Sequence, residues 1–121
     1  TGRTLTDWQQ RRDGGLGVAA VQGIIVDRPR AELNARAEQR LAAMLAAGAR
    51  DEVAALLALE LPADVPVMKA LAVPQLAAHL AGRCSIDDAM AQALIATRQY
   101  QKRQQTWARN QFPDWQRAFP A

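Results

Sequence analysis

The chain has 121 residues, a length suited to one domain, and a folded chain of this size buries about two-thirds of its unfolded surface without needing disulfide staples. Its single cysteine, Cys84, excludes an intrachain bridge and fits a reducing cytoplasm. No apolar run approaches the roughly 20 residues of a membrane span and no basic-then-apolar leader is seen, so a cytoplasmic protein without a membrane partner is expected.

Fifteen Lys and Arg against twelve Asp and Glu leave a net charge of +3, a weak general preference for polyanions. The distribution is more informative. From Thr97 onward, Arg98, Lys102, Arg103, Arg109 and Arg117 face only one acid, Asp114.

In chain order, TGRTLTDWQQRRDGGLG predicts a short helix from Leu5 to Gln10 and then a flexible, glycine-rich loop. VAAVQGIIV, Val18 to Val26, predicts a strand that is apolar on both faces and therefore wants covering from both sides. Such a strand must pair with the C-terminal segment, with another copy, or with a sheet outside this chain, and the last is the expected case. Pro29 suits the first turn of a helix capped by Asp27 or Arg28. Leu33, Ala37, Leu41, Met44 and Leu45 then carry its apolar face to a stop at Gly48.

A second helix is predicted from about Arg50 to Leu59, with Asp51 and Glu52 at the positive end of its dipole, and LPADVP breaks it. A third runs from Pro66 to Leu80, kinked or broken at Pro74, and stops at Gly82. Ser85 and Asp88 have the spacing of a capping box and open a long last helix to about Asn110, which Pro113 ends. Trp115 to Phe119 reads as a short closing strand. The fold class is therefore mainly α, about four helices with one or two short strands.

On a helical wheel at about 100° per residue, Arg98, Lys102, Gln105 and Arg109 share one face of that last helix. Tyr100 and Trp107 lie opposite, in line with Ala89, Ala93 and Ala96. The first face suits an anionic surface, the second a core. A basic stripe is also the ordinary character of a solvated helix face, so charge alone leaves both readings open.

A self-sufficient catalytic constellation is missing. Gly14, Gly15 and Gly17 are not followed by the Lys and hydroxyl residue of a phosphate-cradling loop. One His and one Cys make no zinc site, and His79 and Cys84 read as packing residues. Glu32, Glu38, Asp51 and Glu52 stand beside Arg36, Arg40 and Arg50, as i,i+4 ion pairs rather than an acid/base pair.

Taken together, TGRTLTDWQ, DRPRAELNARAEQRLAAML, GARDEV, PVMKALAVPQLAAHLAG, SIDDAM and TRQYQKRQQTWARNQFPDW resemble the C-terminal part of bacterial tRNA dimethylallyltransferases. The string TRQ-x-x-KRQ-x-TW-x-R is the most specific element. The resemblance implies an α/β P-loop-type enzyme that transfers a dimethylallyl group from dimethylallyl diphosphate to N6 of an adenosine next to the tRNA anticodon, assisted by Mg²⁺. It also implies that the diphosphate loop, the general-base Asp and the Mg²⁺ ligands lie outside this chain, which would be inactive alone. Residues 1–17 then correspond to the end of the family's inserted region. Residues 18–121 form a strand plus a helical, tRNA-facing segment.

By the same resemblance, the expected tRNA-contacting residues are Lys69, Arg98, Lys102, Arg103, Gln104, Gln105, Thr106, Trp107 and Arg109; the place of Trp107 on the opposite face of the wheel favours buttressing the helix over stacking a base, and both roles stay open. The family's K-x-x-GY segment reads KALAVP here, with Ala72-Val73 in place of Gly-Tyr. Two alternatives remain at this level: a stand-alone helical nucleic-acid-binding module, and a homodimer paired through the strand at Val18 to Val26.

Overall fold

The structure, a computed structural model, describes residues 22–119 together with Thr4 and Thr6. The expected helix from Leu5 to Gln10 and its following loop lie outside the described residues apart from Thr6, as do positions 18–21 of the expected strand.

Strand β1 is Ile24–Val26. Helix α1, Arg30–Ala46, follows Pro29, which occupies the cap position itself: its extended ψ of 138° and missing N–H suit the residue just before the first turn. Gly48, at φ 102°, takes the left-handed conformation that ends α1 and opens α2, Ala49–Leu57, two residues short of the expected end. A 3₁₀ turn covers Pro66–Lys69, and α3 is Val73–Leu80. Pro74 therefore makes a break rather than a kink, because in the first turn of a new helix its absent donor leaves nothing unpaired.

Gly82 closes α3 in a Schellman arrangement, with Arg83 N donating to Ala78 O at 3.0 Å and Gly82 N to His79 O at 2.9 Å. The long helix α4, Ile86–Gln111, begins at the expected capping box: Asp88 N donates to Ser85 Oγ and Ser85 N to Asp88 Oδ2. Strand β2, Gln116–Ala118, completes the described chain. The class is mainly α, with four helices and two short strands among the described residues.

The core is small and lies between α1, α2, α3 and the first half of α4. Leu41, Val53, Ala72, Leu76 and Ala93 are buried, and Leu45, Leu57, Leu80, Ile86, Met90 and Leu94 pack around them. Met44, expected on the apolar face of α1, is largely exposed.

Strand β1 finds a partner within this chain. Its partner among the described residues is β2, which runs parallel to it with Ile24, Ile25 and Val26 opposite Gln116, Arg117 and Ala118. This pairing with the C-terminal segment, one of the partners the sequence allows, satisfies one edge of β1. Within this chain one face of β1 is covered: Ile25 turns inward, while Ile24 and Val26 are 50% and 70% exposed. Two strands have only one covered face when helices pack on a single side.

Candidate nucleic-acid interface

Along α4 the buried stripe does not stay at one angle. In its first half it comprises Ala89, Ala93 and Thr97; beyond, Gln101, Gln105 and Ala108 are the half-buried positions. From Ala89 to Gln105 these follow the i to i+4 row, which advances by about 40° each turn, and Ala108 at i+3 steps back by about 60°, as expected where a helix crosses successive partners at an angle. The inward face consequently rotates by roughly a quarter-turn between Ala89 and Ala108.

Trp107 is therefore misplaced by the straight wheel. Alignment with the small residues Ala89, Ala93 and Ala96 predicted a core position for Tyr100 and Trp107, yet their residues are 44% and 58% exposed. They stand beside the cations, on the outer surface.

Gln105 is misplaced in the opposite sense. Expected with Lys102 and Arg109, it turns in and donates through Nε2 to Asp27 Oδ1 at 3.1 Å. The same carboxylate accepts from Arg28 N at 2.9 Å and from Arg117 Nη1, through Oδ2, at 2.6 Å, while Asp27 N donates to Ala118 O. Asp27 thus ties β1, β2 and α4 together. Gln101 adds a long bond of 3.5 Å to Leu33 O. Between these ties lies a cleft of about 290 Å³ lined by Ile25, Asp27, Leu33, Gln104, Gln105 and Arg117 among others.

Arg98 is half-buried and spans to α1, with Nη2 2.7 Å from Glu38 Oε1. That pair joins two helices rather than one turn to the next, unlike Glu32, which takes both Arg28 and Arg36 at i,i+4. Asp51 and Glu52 form no ion pair among the described residues and occupy the first turn of α2, where the helix dipole favours them.

Outward, Lys102, Arg103, Thr106 and Trp107 line one shallow groove with Gln99 and Asn110. No described carboxylate pairs with Lys102, Arg103 or Arg109. Arg103 lays its guanidinium 5.8 Å from the Tyr100 ring centre. Trp107 meets Phe112 edge-on at 5.4 Å, and Phe112 in turn stacks on Trp115 at 4.2 Å. Beneath Trp115 only glycine fits: a Cβ at Gly23 would lie 2.0 Å from the indole.

Of the nine expected contact residues, the structure brings Lys102, Arg103, Thr106 and Trp107 together. It leaves Arg109 exposed on the same helix, turns Gln104 and Gln105 to the inner cleft, commits Arg98 to Glu38, and puts Lys69 on a separate element, the exposed end of the 3₁₀ turn. Gln99 and Asn110 were missed, although their spacing from Lys102, Arg103 and Thr106 places them on one helix face. In KALAVP, Ala72 is buried and adopts φ 73°, the left-handed backbone that glycine takes freely.

A family model described as IPP transferase matches residues 1–111. The chain belongs to the IPP transferase family. It is 46% identical over 117 residues to a tRNA dimethylallyltransferase of Caulobacter sp. (strain K31), and 51% identical over 119 residues to one of Sphingopyxis alaskensis. Each alignment covers 97% of this chain and 38% or 39% of the relative, so the chain spans about two-fifths of the length of the curated relatives it matches. The crystal structure of the tRNA delta(2)-isopentenylpyrophosphate transferase of Staphylococcus epidermidis aligns with a TM-score of 0.72 at 27% identity, over 80% of this chain and 31% of that one. The enzyme of Bacillus halodurans gives 0.73 at 24% identity, a likeness of fold.

Among the described residues, no three His, Cys, Asp or Glu side chains gather where they could hold a metal ion. None of the described helices is long and apolar enough to cross a membrane.

Proposed function

We propose that this chain is the tRNA-facing part of a tRNA dimethylallyltransferase, binding tRNA while the diphosphate loop, the base and the Mg²⁺ ligands are supplied by sequence outside it. The observation that carries the reading is the outer face of α4, where Lys102, Arg103 and Arg109 stand free of carboxylates. Phosphate oxygens are the natural partners of such cations, and each contact releases a counterion. Lys69 is a further phosphate contact in this reading. Arg98 and Gln105 act indirectly by setting the helix in place. The protein would work in the cytoplasm.

Titration of labelled tRNA at several salt concentrations tests this. The double variant Lys102→Glu, Arg109→Glu should bind at least about tenfold more weakly, and the slope of log K against log[salt] should fall by roughly one for each lost contact. Unchanged binding and slope would sink the reading. The chain alone, given dimethylallyl diphosphate and tRNA, should transfer no prenyl group.

The exposure of Ile24 and Val26 favours a second reading, two copies associating through β1. A sedimentation mass of one chain at micromolar concentration removes it.

A further inference from the structure

We infer that Trp107 is a stacking platform for one unpaired base of the bound RNA, with Lys102 and Arg103 holding that nucleotide's phosphates. The inference rests on the nucleic-acid reading above and specifies what kind of RNA segment the outer face of α4 takes. A tryptophan that only buttresses a helix buries its ring. Trp107 does the reverse: its residue is 58% exposed, at a groove whose other lining residues are cations, amides and a hydroxyl.

The ring is also held. Phe112 meets it edge-on, 81° between planes, and Phe112 is itself stacked on Trp115, so one contact supports the indole while most of the residue stays open. A ring that is already oriented gives up less freedom when a base lies on it. Tyr100, Arg103 and Trp107 follow one another at i, i+3 and i+7 on the exposed side, and Arg103 lies over Tyr100, so planar groups alternate with charge along about 10 Å of helix. Double-stranded RNA offers edges and phosphates but not base faces, whereas looped or splayed nucleotides offer both faces and phosphates. No carboxylate lines the groove.

The test compares two RNAs of identical sequence, a hairpin with an unpaired loop and the same strand annealed to its complement. Trp107→Leu should weaken the hairpin by about tenfold and the duplex hardly at all, with the salt slope unchanged. Trp107→Phe, which keeps a ring against Phe112, should recover part of the loss and guards against simple misfolding. Hairpin, but not duplex, should quench tryptophan emission in the parent more than in Trp107→Phe.

If Trp107→Leu binds the hairpin like the parent while Lys102→Gln, Arg103→Gln weakens hairpin and duplex equally, α4 holds phosphates only and the stacking inference falls, leaving the proposed function intact. If neither variant alters binding of either RNA, both fall together. Emission from Trp107 that resists both hairpin and acrylamide would show the ring covered by protein, which also overturns the inference.

Discussion

From Ile86 to Ala96 the last helix is held by apolar contact, whereas over residues 97–111 it is held by hydrogen bonds to groups remote in sequence. The first half buries Ala89 and Ala93 almost fully, Ala93 against the core around Leu76. Thr97 marks the change: buried, it donates its hydroxyl to Ala93 O at 2.8 Å and so needs no partner from another element. Beyond it, Arg98 reaches Glu38, Gln101 reaches Leu33 O and Gln105 reaches Asp27. Apolar contact stabilises without fixing direction; hydrogen bonds to an Asp carboxylate fix direction and leave the opposite face unencumbered. The half that presents Lys102, Arg103 and Trp107 to solvent is the half that is aimed.

Four substitutions break or sharpen this contrast. Leu76→Ala, at a residue only 2% exposed, should cost about 2–5 kcal/mol in denaturant unfolding, because it opens a cavity where α3 meets the first half of α4. Asp27→Ala should cost about 1–3 kcal/mol by stranding Arg117 and Gln105. Its signature should be regional: amide exchange should quicken in residues 101–111 and 116–118 and stay slow around Ala93. Equal loss of protection in both halves of α4 would refute the division. Ser85→Ala removes the capping box and should cost about 1 kcal/mol, felt mainly in the first half.

The smallest effect is expected of Glu38→Gln. A pair this exposed contributes at most about 1 kcal/mol, and a thermal melt should barely move. Freed of its carboxylate, Arg98 should bind tRNA phosphate slightly more strongly; weaker tRNA binding by this variant would instead mean that the pair serves to hold α4 in position.

Much of the local structure was legible in the residues. Gly48, Gly82, Pro74 and the Ser85–Asp88 box act over a few residues, so their types and spacings carry the information. What was not legible depends on distance or on angle. Nothing near Asp27 announces that it will meet Gln105 and Arg117, 78 and 90 residues away. The parallel pairing of β1 with β2 has the same origin. Trp107 was assigned inward because a wheel assumes one straight neighbour, and α4 instead passes from α3 to α1 and the strands, carrying its buried row around the helix as it goes.

The parallel pair β1–β2 also bears on the order in which the protein forms. Closing a flexible loop of 90 residues first would cost about 4 kcal/mol in chain entropy, close to the most that three short rungs return. The helices must therefore assemble earlier and bring the two strands within reach, so that strand pairing and the Asp27 ties are completed last. The same pairing should be the first to open as the folded chain fluctuates, letting the outer half of α4 swing about Thr97 while its inner half stays seated.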